Sequence, residues 1–255
     1  MLRALTHKVS PDIASCELTY LLRAPIDVEL ASQQHQAYEA ALTRLGVTVK
    51  SLSLNEKYPD ACFVEDTAVV VDELAVICSM GVASRRGETQ LIAEELSAFR
   101  ELVHISKPAT IEGGDVLRIG KQVLVGESGR TNRLGIEALG RILGPLGYKV
   151  IPVPTRASLH FKSGCTAIDD ETLFLNPDWV ETECLKGFDL IFTPNDEPAS
   201  ANVLRIGEIV CLQADFPKSI ELIQRRAGRL EVMDMSELRK AEAGLTCSSI
   251  IFANR

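Results

Sequence analysis

One cysteine of the seven, Cys247, stands where it could act as a nucleophile. It lies in Ala243-Gly244-Leu245-Thr246-Cys247-Ser248-Ser249, a polar turn that runs into the apolar Ile250-Ile251-Phe252. A free thiol is mostly protonated at neutral pH, so it needs a base or a cation beside it. Of the four histidines, His160 in Ser158-Leu159-His160-Phe161-Lys162 is the best candidate. Glu112 precedes Gly113-Gly114-Asp115. Glycines there let the backbone turn tightly and approach a ligand, and a carboxylate at that point could hold an imidazolium in its working orientation. Each residue also has a plainer reading. Cys247 could be a packing thiol, His160 a satisfied core histidine, and Glu112 part of a surface hairpin.

Two further sets of charges could surround these groups. Phe63-Val64-Glu65-Asp66-Thr67 places adjacent acids in an apolar context, with Asp60 just upstream. In a strand the two would point to opposite faces, one toward a ligand and one toward the frame, within an acidic pocket. Ser84-Arg85-Arg86-Gly87-Glu88 and Gly126-Glu127-Ser128-Gly129-Arg130-Thr131-Asn132 each fall between an expected strand and an expected helix. Arginines there could clamp a carboxylate through two hydrogen bonds, Arg85 more so than Arg86.

Composition narrows the field. The chain has 255 residues, 46% hydrophobic and 24% charged, enough for a substantial core. A formal charge of −8 argues against nucleic acid or an anionic membrane as partner and favours a cationic ligand. No apolar run reaches the roughly 18–20 residues of a membrane span, and charges break up the N-terminal segment where a signal peptide would be apolar. The cysteines are odd in number and contain no C-x-x-C. That disfavours a disulfide framework or a structural zinc site and points to a reducing, cytoplasmic setting.

The elements that would position these groups recur. A helix is expected from Val28 to Leu45, capped by Asp27 and stopped by Gly46, with extended Val47–Val49 after it. Strand–helix–strand sets follow, in the order Ala75–Cys78, Arg86–Phe99 and Leu102–Ile105, then Val123–Val125, Asn132–Leu146 and Tyr148–Val153. Leu173–Leu175, a short helix near Trp179–Lys186, and Leu190–Phe192 form the next set. Ile209–Leu212, Ser219–Ala227 and Leu230–Met233 form the last. Further extended stretches, Phe63–Val71, Ile111–Ile119, Leu159–Ile168, Asn202–Ile206 and Leu245–Phe252, supply the leading strands. A unit this small cannot bury its sheet alone, so five units around a shared axis are expected, the last strand joining the N-terminal unit. An open α/β sheet is the alternative. A ring would gather Glu65-Asp66, Glu112, His160, Asn202 and Cys247 at one end of its axis.

In order, Phe63-Val64-Glu65-Asp66, Ser84-Arg85-Arg86, Glu112-Gly113-Gly114-Asp115, Arg130-Thr131-Asn132, Leu159-His160-Phe161-Lys162 and Leu245-Thr246-Cys247 resemble dimethylargininase (dimethylarginine dimethylaminohydrolase). This is a family of the guanidine-modifying, or pentein, superfamily. The resemblance implies one catalytic domain over residues 1–255 with a five-bladed pseudosymmetric α/β propeller of ββαβ units. It implies a hydrolase acting on C–N bonds of linear amidines, turning N-methylated arginines into L-citrulline. Cys247 would attack the guanidinium carbon. His160 would protonate the departing amine and then activate water, oriented by Glu112. Asp66 would hold the guanidinium with Glu65 in support, Asp60 would take the α-amine, and Arg85 and Arg130 the α-carboxylate. Phe63 would wall the pocket, and Leu18, in a mobile lid within 8–23, would close on the substrate.

No metal or other cofactor is implied, and the partner is a cationic amino acid rather than nucleic acid or membrane; a homodimer is left open. Arginine deiminases and amidinotransferases carry His-x-Asp where this chain has His160-Phe161-Lys162, so their second guanidinium-gripping carboxylate is missing here. Two alternatives stay open: a guanidino or ureido hydrolase or deiminase acting on arginine or another amino acid, and a non-catalytic amino-acid-binding module on the same fold.

Overall fold

The structure, a computed structural model, describes residues 1–254. The chain opens with β1 (Leu2–His7), α1 (Val28–Arg44) and β2 (Thr48–Leu52). The second unit has β3 (Ala68–Val70), β4 (Leu74–Ile77), α2 (Glu88–Ser97) and β5 (Glu101–His104), and the third β6 (Val116–Ile119), β7 (Gln122–Glu127), α3 (Arg133–Leu143) and β8 (Lys149–Pro154). Next come α4 (Phe161–Gly164), β9 (Cys165–Ala167), β10 (Thr172–Leu175) and β11 (Asp189–Phe192). The chain closes with β12 (Leu204–Ile206), β13 (Ile209–Gln213), α5 (Pro217–Gln224), β14 (Arg229–Met233), α6 (Ser236–Arg239) and β15 (Ile250–Ala253).

Among the described residues these strands form five three-stranded sheets. In each, an inner strand runs antiparallel to a middle strand, which runs parallel to an outer one, as in β3-β4-β5 and β6-β7-β8. The fifth sheet joins the two ends of the chain. β15 pairs antiparallel with β1, with Leu5 opposite Ile250, and β1 pairs parallel with β2. The inner strands of all five sheets line one channel of about 460 Å³. The expected ring is therefore present, and the open sheet is not.

Local chemistry accounts for the helices. The Asp27 carboxylate accepts the Leu30 amide at the start of α1, and Asn132 accepts from Gly135 at the start of α3, each satisfying a donor the helix leaves unpaired. Gly46 and Gly147, with φ of +85° and +82°, turn the chain after them.

Three expectations change. A strand, β1, forms at Leu2–His7, which lacks clean alternation. The helix expected near Trp179–Lys186 shrinks to a single 3₁₀ turn, Thr182–Leu185. Most important, four of the leading stretches do not begin as strands. Each opens with one helical turn, Val64–Thr67, Gly113–Asp115, Phe161–Gly164 and Thr246–Ser248, and only then enters its inner strand. The alternation argument for Glu65 and Asp66 therefore fails. In a 3₁₀ turn neighbours diverge by about 120°, so Glu65 borders the axial channel while Asp66 borders a separate cavity at the other end.

Candidate active site

That cavity, of about 20 Å³, has room for roughly one water. Cys247, His160, Asp60, Phe63, Asp66, Arg85 and Arg130 all border it, joined by Glu17, Leu159, Glu242 and Ala243. Glu112, Glu65 and Leu18 do not. Glu112 is wholly buried behind His160. Glu65 faces the channel, and Leu18 packs on the cluster that contains Ile13, Cys16 and Tyr38.

His160 is the N-cap of the turn Phe161–Gly164 and sits between two carboxylates. Its Nε2 is 2.8 Å from Glu112 Oε2, and its Nδ1 is 3.7 Å from Asp66 Oδ1. Burial alone would lower the imidazolium pKa, but Asp66, Asp115 and Glu112 carry it up to about 9. His160 is therefore an acid at neutral pH. Burial would likewise raise the Asp66 carboxyl, yet His160, Arg85 and Arg130 hold it below the ordinary value.

The two glycines after Glu112 serve close approach within the frame. A Cβ on Gly113 would lie 1.9 Å from the Glu65 carbonyl oxygen, and one on Gly114 would lie 2.6 Å from both Asp66 Oδ1 and His160 Nδ1. Instead, the Gly114 amide donates to Asp66 at 3.0 Å.

Asp115 ties the site loops together, a role its sequence context does not reveal. It accepts the Phe161 amide at 2.8 Å and the Ser128 hydroxyl at 2.7 Å. Ser128 Oγ in turn accepts the amides of Arg130 and Thr131, and Thr131 Oγ accepts the amide of Glu112. One buried carboxylate thus fixes His160, Arg130 and Glu112 relative to one another.

Arg85 plays a different part from the expected open clamp. Its Nε and Nη2 bond Glu88, Nη2 also bonds the Phe63 carbonyl, and Nη1 reaches Asp66 Oδ2 at 2.6 Å. Of the five N–H donors of a guanidinium, this leaves one, on Nη1, for a ligand. Arg130 is less committed, with Nη2 3.2 Å from Thr19 Oγ and Nη1 3.7 Å from Glu112. The Asp60 carboxylate accepts the Glu17 amide at 3.2 Å.

Beneath the cavity, Lys162 Nζ bonds Glu65, whose other oxygen accepts the Thr246 hydroxyl at 2.7 Å. Asn202 accepts the Thr246 amide at 3.1 Å and donates to the Lys162 carbonyl at 2.9 Å. Glu65, Lys162 and Thr246 line the channel, and with Asn202 they form the floor that separates it from the site. The Cys247 sulfur accepts the Gly244 amide at 3.4 Å. Burial, Glu65 and Asp66 push its thiol up to about 12, against the smaller opposing pull of the Gly244 amide and Lys162. Beside these carboxylates the thiol stays protonated at neutral pH.

Ligand atoms of Asp66, Glu112 and His160 lie within 4.8 Å of one another. A metal ion there would meet a protonated imidazole and the guanidinium groups of Arg85 and Arg130, which disfavour it. Cys62 is fully buried beside Phe63 in the cluster that contains Ile13 and Tyr38, a packing thiol.

A ring of five ββα(β)-type units with a thiol, an imidazole and carboxylates at one mouth of its axis defines a pentein-type α/β propeller. A family described as "N,N dimethylarginine dimethylhydrolase, eukaryotic" matches residues 22–173. The chain is 34% identical over 250 residues to the N(G),N(G)-dimethylarginine dimethylaminohydrolase of Streptomyces coelicolor, covering 97% of this chain and 96% of that one. It is 33% identical over 228 residues to the protein of that name from Pseudomonas aeruginosa, covering 89% and 90%. A solved structure of the Pseudomonas aeruginosa protein, a cysteine-to-serine mutant complexed with citrulline, superposes with a TM-score of 0.94 at 30% identity over 98% of each chain. The chain belongs to the dimethylarginine dimethylaminohydrolase family.

Proposed function

We propose that the protein hydrolyses Nω-methylated arginines, asymmetric dimethylarginine and monomethylarginine, to L-citrulline and the methylamines. The observation that carries this reading is the cavity bordered by Cys247, His160 and Asp66, with His160 held as an acid by Asp66, Asp115 and Glu112 and oriented by Glu112. Relatives named for this reaction, and the citrulline held by the Pseudomonas aeruginosa protein, support it.

A guanidinium group bound on Asp66 brings a positive charge to a thiol that its carboxylate neighbours otherwise keep protonated, so substrate binding favours the thiolate, whose proton passes to solvent because His160 is already protonated. The Cys247 sulfur adds to the guanidinium carbon and the planar centre becomes tetrahedral. The C–N bond to dimethylamine then breaks, and the leaving nitrogen takes the proton from His160. A thiouronium remains on the sulfur. Neutral His160 accepts a proton from water as its oxygen adds to the same carbon. Loss of the sulfur then leaves the ureido group of citrulline and restores the thiol. Positioned acid–base help of this kind is worth about 10²–10⁴ in rate.

At the amino-acid end, Arg130 takes the α-carboxylate, with one bond from Arg85, and Asp60 takes the α-amine; Phe63 and Leu159 wall the stem. Leu18 closes the lid from the cluster side rather than by lining the cavity. Lys162 is engaged by Glu65 and offers no second carboxylate, which favours a substituted guanidinium over arginine.

Residues 1–255 act as one catalytic domain. No helix among the described residues is long and apolar enough to cross a membrane. We assign the protein to the cytoplasm, where its cysteines stay reduced, as a monomer or homodimer that sedimentation would distinguish. The test of function is a panel of asymmetric dimethylarginine, monomethylarginine, arginine and agmatine followed by mass spectrometry. Citrulline from the methylated substrates, at a kcat/KM well above that for arginine, is expected. Preference for arginine would place the protein among the deiminases, and no turnover would make it a binding module.

A further inference from the structure

Glu242 precedes the cysteine loop and carries φ of +60°, a left-handed conformation that an L side chain adopts only at a cost. Its carboxylate receives three consecutive amides from the far end of the chain. Thr19 N lies 3.0 Å from both oxygens, and Tyr20 N and Leu21 N lie 2.5 Å from one of them. Successive amides that converge in this way form a concave anion site, here filled by a side chain of the same protein.

The strap that carries these amides, residues 17–21, has no helix or strand of its own. Tyr20 and Leu21 are about half exposed, so apolar burial holds that part down weakly. Polar bonds do the rest, and two of them end on residues at the amino-acid end of the cavity. Glu17 N bonds Asp60, and Thr19 Oγ meets Arg130.

We propose that Glu242 is a positioning residue: its carboxylate latches the strap 17–21 across the cavity and thereby sets affinity for the amino-acid end of the substrate. The affinity half of this inference rests on the function proposed above. The latch half does not.

Two variants separate latch from frame. Glu242→Gln keeps the size but removes the charge, and a neutral acceptor bonds amides about half as strongly. Glu242→Gly removes the carboxylate and relieves the left-handed backbone. A merely structural residue would lose stability with both, whereas a latch on a strained backbone loses strap order while Glu242→Gly holds or gains thermal stability.

Hydrogen exchange by mass spectrometry over residues 17–23, thermal unfolding, and KM and kcat for asymmetric dimethylarginine would be measured on both variants and the parent. Strap amides should exchange at least about tenfold faster in each variant, the effect of losing a hydrogen bond to a charged group. KM should rise about tenfold, with kcat within about threefold. Unchanged strap exchange in folded Glu242→Gly overturns the latch. Faster exchange with unchanged KM overturns its role in affinity. A parent protein that exchanges as expected but turns over no substrate supports the latch and overturns the proposed function instead.

Discussion

His160 Nε2 and Glu112 Oε2 meet at 2.8 Å in complete burial, and the Glu112 carboxylate also accepts the Gly81 amide at 2.8 Å. An imidazole fixed this way cannot rotate without breaking a charge-assisted bond. Glu112→Gln keeps the shape and removes the charge. We expect kcat to fall by about 10²-fold and the alkaline limb of the pH profile to move toward lower pH, measured by steady-state kinetics between pH 6 and 10.

The charge on His160, held up by Asp66, Asp115 and Glu112, makes both rate and stability depend on pH. The His160 pKa is about 9 in the folded protein against an ordinary 6.5. A group whose pKa is raised on folding stabilises the fold fully below its unfolded pKa, and that contribution is lost as the pH rises through the folded value. Roughly 3 kcal/mol should therefore disappear between about pH 6.5 and 9. Denaturant unfolding of the parent and His160→Gln across this window should show the loss in the parent and a much flatter curve in the variant. In the parent, kcat, which reads the complex where bound guanidinium already favours the thiolate, should decline above about pH 9 as the acid for the leaving amine is lost.

Cys247 should behave as a poor nucleophile in the ligand-free protein. With its thiol pushed up to about 12, the rate of iodoacetamide labelling should keep rising tenfold per pH unit through pH 10. A plateau near pH 7 would mean a standing thiolate, and the carboxylates around the sulfur would then have been misjudged.

Lys162 and Glu65 test the floor of the site. Lys162→Met leaves the Glu65 carboxylate buried and unpaired, which should cost about 3–5 kcal/mol. Lys162→Met combined with Glu65→Leu should recover most of it, because the unpaired charge is gone. Chemical denaturation of both variants reads the difference. Equal losses would show that packing at these positions, not the ion pair, holds the floor.

Much of this architecture was written in short local strings. The turn containing Cys247, His160 and Lys162, and the Glu112-Gly113-Gly114-Asp115 stretch each carry their chemistry within a few residues, and the repeat of strand, helix and strand placed them at one mouth. What the strings concealed depends on distance or on turn geometry. The helical turns that open the inner strands look extended in sequence because three or four residues are too few to show a helical period. The capture of Arg85 did have a signal, since Glu88 follows it at i+3, a spacing that pairs side chains in a helical turn. Asp115 and Glu242 had none. Asp115 reaches the Phe161 amide 46 residues away as well as the Ser128 hydroxyl, and Glu242 reaches amides more than 220 residues away, which every residue but proline supplies.

The central claim is that the Cys247 sulfur forms the covalent bond to the substrate. Purified parent and Cys247→Ser would be incubated with asymmetric dimethylarginine, and citrulline and dimethylamine quantified by mass spectrometry. The account predicts equal amounts of both products from the parent and a loss of at least about 10³-fold in the variant, which stays folded and still binds the substrate. Turnover in Cys247→Ser at the parent's rate would contradict it.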